Sequence, residues 1–313
     1  MRTRPLHVGV QLQGQNTSWA DYARAVRAVE DLGFGSVWTF DHVLPFSGPD
    51  DGACFETLTT MGAWAVLTNR TRVGVLVNGV LYRDPAVLAK AAAQVDQITG
   101  GRLEFSLGAA WAEREFRAYG WPFPSVSERY ERLDEALDLI KQLWAQHRTT
   151  FVGKYYRVLD APCEPKPVQS PHPPITVGGT GLGSLKVAAR HGQRLNMVGP
   201  PATCATTIAK LREVCAQLGR DFDGIELSAH PNLVLAPTAA AAEEAAVAVA
   251  ASHGTDLAAA RDGWLIGGPA EVVTKMRAYT DLGINHFVVA LGYPFDTASL
   301  RLLRDEVLPA VAA

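Results

Sequence analysis

Cysteine is scarce: Cys54, Cys163, Cys204 and Cys215 are the four in 313 residues, and no two stand in C-x-x-C spacing. They read as reduced thiols of a cytosolic protein, not as a disulfide framework. The eight histidines include no H-x-H or H-E-x-x-H, the close spacings that put two ligands on one cation, so no metal centre is expected. A G-x-S-x-G nucleophile elbow is also missing. Lys and Arg form no run, and the net charge is −3, which argues against nucleic acid. Apolar runs are short, and none approaches a membrane span. After the basic Met1–His7, the strand-like Val8–Leu12 is too short for a secretory core and is interrupted by Gln11 and Gln13. These absences leave a cytoplasmic protein with a small-molecule partner, and no nucleic-acid or membrane partner. With 48% hydrophobic residues, the chain can bury one large core or two modest ones.

What the chain does have is a recurring junction: a helical pattern, a glycine, then a short apolar strand. It occurs around Gly33, Gly100, Gly192 and Gly283. Glycine tolerates the left-handed conformation that ends helices, so the repeat reads as the turn of a βα unit. Eight strands are expected near 6–12, 35–40, 72–78, 102–107, 174–178, 194–198, 225–235 and 285–291. Helical patterns cover 18–32, 54–68, 85–99, 127–147, 180–191, 201–218, 238–252, 269–282 and 297–311. The sum suits a single-domain (β/α)8 TIM barrel over residues 1–313, with a doubly wound sheet as the alternative. Residues 148–173, which read as a hairpin around Gly153-Lys154, and the irregular 253–268 exceed a minimal barrel. Insertions at the C-terminal face of such a barrel would shape the mouth of a site.

Trp38-Thr39-Phe40-Asp41-His42 is the segment with most chemistry: an apolar strand ends in an acid and a histidine. Alternation puts Val37, Thr39 and Asp41 on one face and Trp38 and Phe40 on the other. If the aromatics pack on helices, Asp41 points into the space the strand lines. Asp41 and His42 could then handle a proton, although from this stretch alone a loop cap and a satisfied structural histidine are the commoner case. The cluster Gly178-Gly179-Thr180-Gly181 follows a strand and opens a helix, as an anion cradle or merely a permissive turn would. Gly74 within a strand suggests a bulge or close backbone approach. Asn78, Trp111 and His230 fall at expected strand C-termini.

An ordered set of fragments carries a resemblance. It comprises Trp38–Val43, Arg70–Gly74, Tyr82–Lys90, Asp96–Leu103, Ser106–Trp111, Tyr130–Leu137, Pro174–Gly179 and Gly267–Val272. Together they resemble the bacterial-luciferase-like oxidoreductases, most closely the members that use the deazaflavin coenzyme F420. The resemblance implies the (β/α)8 fold, a homodimer, and a cofactor ring at the barrel mouth. It places the cofactor against Asp41, Val75, Leu76, Val77, Asn78 and Ala110, with a non-proline cis peptide at Val75–Leu76 and the phosphate on Gly178, Gly179 and Thr180. His42 would donate or relay a proton while Asp41 orients the ring, and Gln13, Trp111 and His230 would be pocket walls. The implied reaction is hydride transfer between F420 and an activated double bond or carbonyl. The alternatives are an FMN-dependent monooxygenase and a non-catalytic cofactor-binding protein. Some members carry a glutamate after strand 4; here Trp111 takes that place, and Glu113 and Glu115 fall out of register. That departure argues against glutamate-assisted oxidation.

Overall fold

The computed structural model describes residues 4–252 and 254–312. Eight strands close a barrel: β1 (His7–Leu12), β2 (Ser36–Thr39), β3 (Arg72–Val75), β4 (Leu103–Gly108), β5 (Ile175–Gly178), β6 (Arg194–Met197), β7 (Glu226–Ala229) and β8 (His286–Leu291). Every barrel pairing is parallel, and the closing ones are β3 with β4 and β8 with β1. That closure excludes the doubly wound sheet. The helices around it are α1 (Trp19–Asp31), α2 (Thr57–Leu67), α3 (Pro85–Thr99), α4 (Val126–Ala145), α5 (Leu182–His191), α6 (Pro201–Leu218), α7 (Ala239–Ser252), α8 (Pro269–Thr280) and α9 (Thr297–Leu302). No described helix is long and apolar enough to cross a membrane.

The barrel interior reverses one expectation. Val37 belongs to the core beneath the helices, and Thr39 bonds the Tyr22 hydroxyl of α1, whereas Trp38 packs inside against Leu76 and Val288. Its indole fills the barrel axis because Gly9 and Gly74 have no side chain. A Cβ on Gly74 would lie 2.5 Å from Trp38 Cε3, and one on Gly9 2.7 Å from Trp38 Nε1. The close approach expected at Gly74 is therefore to an indole. Below Trp38, Arg194 joins Glu104 (2.8 Å) and Glu226 (2.6 Å), and Arg72 also meets Glu104. Burial alone would raise the Glu104 carboxyl, but Arg194 and Arg72 outweigh it and hold it below the usual range.

Several boundaries differ from the pattern in the sequence. β3 stops at Val75 and resumes as Asn78–Gly79 against Leu107–Gly108. The non-proline cis bond in the gap is Leu76–Val77, one residue beyond the expected Val75–Leu76. The expected strand 225–235 breaks after Ala229, where Pro231 can donate nothing to a ladder. Its second half, Leu233–Leu235, pairs instead with Leu265–Gly267 in a separate parallel pair, crossed over by α7. Residues 254–268, expected to be irregular, therefore carry a short helix (Leu257–Ala260) and this strand, while His253 lies outside the described residues. The final helix is interrupted by a π-turn at Leu303–Val307. The hairpin of Thr149–Val152 and Arg157–Ala161 forms as expected but not over the mouth. It lies between α4 and β5; Glu135 of α4 accepts from the backbone of residues 154–156, and Asp96 of α3 from Val168 and Gln169. Of the four junction glycines, Gly192 is not left-handed, with φ −78° against +67° at Gly100.

Candidate active site

At the C-terminal end of the strands is a cavity of about 680 Å³. His42, in the loop after β2, is 8% exposed and forms part of its wall. Its Nδ1 lies 2.8 Å from Glu115 Oε1. Glu115 sits on a one-and-a-half-turn helix, Glu113–Ala118, after β4, and is 1% exposed. Burial alone would raise its carboxyl, but hydrogen bonds from His42 and Tyr82 outweigh that and hold it below the usual carboxylate range. An ionised Glu115 can only accept, so the proton lies on His42 Nδ1, and Nε2 is the nitrogen left for a ligand. Tyr82 donates to the other Glu115 oxygen, and burial, then Glu115 itself, pushes the phenol pKa up. Phe40, Phe46 and Trp111 ring the imidazole with centroids 5.2–5.3 Å away, so the dyad is dry on those sides.

Asp41 lies beside His42 but is already committed. Its Oδ2 accepts from the Gly79 N–H at 2.8 Å, and Arg83 Nη1 reaches Oδ1 and Oδ2 at 2.9 and 2.8 Å. Arg83 also bonds Glu56, which caps α2. Asp41 thus ties the loops after β2 and β3 together. Asn78 gives its amide to the Ser106 carbonyl at 3.0 Å, while its buried Oδ1 has no partner. Its neighbours Leu76, Val77 and Gly79 form the wall of the cavity. Val77 is wedged between two strand ends: a Cβ on Gly108 would lie 2.7 Å from it, and one on Gly178 2.9 Å. Val75 stays in the core behind Leu76. Ala110 takes a left-handed φ of +58° and gives its carbonyl to Arg129 at 2.7 Å.

Gly178 and Gly179 line the far end with Ser184 and Tyr130, whose hydroxyls lie 3.1 Å apart; Thr180 is half-buried beside them. Gly179 has φ +121°, and a Cβ there would lie 2.4 Å from Ser184 Oγ. α5 starts here with Gly181 at its N-cap and no side-chain cap, which leaves its first N–H groups for an anion.

Gln13 lines the cavity with a buried Oε1 that has no partner. His230 Nε2 lies 2.9 Å from Gln11 Oε1, and Gln11 Nε2 donates to the Leu76 carbonyl at 3.0 Å. Burial pushes His230 down to about 4, so it is neutral and carries its proton on Nε2. The cavity thus gathers Gln13, Asp41, His42, Leu76, Val77, Ala110, Trp111, Gly178, Gly179 and His230. Glu115, Tyr82, Arg83 and Gln11 were not legible as site residues. The spacing from Trp111 to Glu115 looked out of register because a helical turn, which swings each residue by about 100°, intervenes. A larger cavity, about 900 Å³, lies at the opposite face around His7, Phe34 and Ile225. It sits at the N-terminal ends of the strands, remote from the dyad.

Among known proteins, residues 4–286 match the model of the family described as luciferase-like monooxygenase. An F420-dependent glucose-6-phosphate dehydrogenase of Kineococcus radiotolerans is 30% identical over 91% of each chain. An FMNH(2)-dependent dimethylsulfone monooxygenase of Pseudomonas putida is 33% identical over 56% of this chain and 48% of its own. An F420-dependent secondary alcohol dehydrogenase, solved with an F420-acetone adduct, superposes with a TM-score of 0.86 at 23% identity, covering 98% of this chain and 99% of that one.

Proposed function

Because this chain belongs to the luciferase-like monooxygenase family, we propose that it moves a hydride between coenzyme F420 and a small organic substrate, at a carbonyl carbon or its alcohol. The observation that carries this reading is the buried His42–Glu115 dyad at the cavity wall. The F420-dependent relative supports the cofactor, and the residues fit such a group. The glycine cradle, which a Cβ at Gly179 would fill, and the uncapped start of α5 suit a phosphate, and the unpartnered Gln13 Oε1 suits a donor on the ring or substrate. Leu76, Val77, Ala110, Gly178 and Gly179 would hold the cofactor. A bound deazaflavin would supply the two-electron acceptor for hydride from the alcohol carbon, which leaves to the protein the O–H proton released as the C=O bond forms.

His42 Nε2 takes that proton, and returns it in the reverse direction. Glu115 holds the tautomer and stabilises the imidazolium that forms. Tyr82 keeps the second carboxylate oxygen satisfied, and Arg83 keeps Asp41 and the Gly79 backbone in place. Glu115, set one helical turn beyond Trp111, thus makes the proposed oxidation a glutamate-assisted one.

The test is a parallel titration of the protein with F420 and with FMN, read by tryptophan fluorescence, followed by turnover. Tight F420 binding with reduction of the coenzyme by an alcohol supports the proposal. Preference for FMN with substrate-dependent oxygen consumption would replace it with a monooxygenase, in line with the FMNH(2)-dependent relative. Binding without turnover of any acceptor would favour a carrier. His42→Ala should lower kcat about 10²- to 10⁴-fold with cofactor affinity unchanged, and unaltered turnover would remove His42 from the mechanism.

A further inference from the structure

The substrate end of the cavity has a chemical character of its own. Phe46, Trp111, Val198, Ala260 and Trp264 form most of its walls, interrupted by the polar Asn232 and Thr255, and no Lys or Arg lines it among the described residues. The nearby cations are committed elsewhere. Arg83 is held by Asp41 and Glu56, Arg114 by the Pro45 carbonyl and Asp50, Arg129 by the Ala110 carbonyl, and Lys275 by the Arg261 and Trp264 carbonyls. His230, a further residue of the wall, is kept neutral by burial. The helix that opens at this end, α6, begins with Pro200 at its cap and Pro201 in its first turn, which removes two N–H groups that an anion would use. A phosphate placed here would lose its water without a counter-charge, a cost that buried ions do not bear unpaired.

From this, and resting on the hydride-transfer reading above, we infer that the substrate is an uncharged, largely apolar alcohol or ketone, and that sugar phosphates are excluded. One oxygen reaches His42 Nε2, and the hydrocarbon body lies against Trp111, Val198 and Trp264. The chain thereby differs in substrate class from its relatives named as glucose-6-phosphate dehydrogenases. The determinant is the absence of cations combined with the proline start of α6.

The experiment titrates 2-propanol, cyclohexanol and glucose 6-phosphate into F420-loaded protein, following tryptophan fluorescence and F420 reduction, with inorganic phosphate as a control for the cradle. Cyclohexanol should bind at least 100-fold tighter than glucose 6-phosphate, and about threefold to fourfold tighter for each methylene added over 2-propanol, with no dependence on salt. Glucose 6-phosphate binding as tightly as cyclohexanol, weakened by salt, would overturn the inference. Ala260→Asp should weaken cyclohexanol at least tenfold while the F420 Kd stays within twofold; unchanged cyclohexanol affinity would also overturn it. The same ligand titrations on cofactor-free protein report the preference of the cavity even if F420 does not bind. Failure of the cofactor proposal and failure of this one are therefore separate results.

Discussion

His42 and Glu115 stand 73 positions apart, yet their side chains make a buried acid–base contact at the mouth. The strength of the pair comes from dryness: with Phe40, Phe46 and Trp111 around the ring, water cannot compete for Nδ1. Glu115→Gln keeps the shape and removes the charge. It should cut kcat about 10- to 100-fold, and the rate loss should be smaller than for His42→Ala in stopped-flow measurements of the chemical step. A Glu115→Gln protein with full activity would leave the imidazole acting alone. A different single residue controls the interior. At Gly74 any Cβ meets the Trp38 ring at 2.5 Å, and Trp38, fully buried, has nowhere to turn. Gly74→Ala should cost about 1–3 kcal/mol by overpacking, read as a lower midpoint in urea with an unchanged slope.

Three segments meet at the Asp41–Arg83 pair: the loop after β2 at Asp41, which also accepts from the Gly79 N–H beyond β3, and the cap of α2 at Glu56, which Arg83 bonds. Burial alone would lower the basicity of Arg83, but Asp41 and Glu56 outweigh it and raise its pKa. Arg83→Ala would leave the Asp41 carboxylate, whose side chain is fully buried, without its counter-charge. The expected loss is about 3–5 kcal/mol of stability, with weaker cofactor binding because the Leu76–Gly79 wall is no longer anchored. Arg83→Ala together with Asp41→Asn should recover part of the stability, since the unpaired charge is then gone. Equal denaturation midpoints for the single and double variants would show that the pair is not what links the loops. At the phosphate end, Gly179→Ala places a side chain at φ +121° against Ser184. Cofactor affinity should fall more than tenfold, measured by fluorescence quenching, while the fold is retained.

Acid stability of the barrel as a whole is set in part by two histidines held neutral. Burial, then Arg194, pushes His286 down to about 3, and burial pushes His230 down to about 4. In the unfolded chain both titrate near 6.5, so between 6.5 and those folded values the unfolded state binds more protons. Each histidine therefore removes up to about 1.4 kcal/mol per pH unit as the pH falls from 6.5 towards 4, and this loss is absent above 6.5. His286→Gln should flatten that part of the curve in urea denaturation across pH. Exposed Val66 on α2 and Val87 on the adjoining α3 mark one side of the barrel. We propose a homodimer, to be checked by sedimentation velocity.

Periodicity and turn chemistry are local, and they were readable without coordinates. α3 and α6 run 85–99 and 201–218 as the pattern predicts, and the eight strand positions and the open turn at Gly178–Gly181 follow from residues within a few positions of one another. Barrel closure decided the rest. It turned Trp38 inward because Gly9 and Gly74 leave room on neighbouring strands, and it broke the seventh strand where Pro231 leaves the ladder. It also swung Glu115 around a short helix onto His42, and joined Asp41 to Arg83 and the Gly79 backbone. Such convergences depend on which strand ends lie side by side around a closed sheet, and no spacing along the chain encodes that.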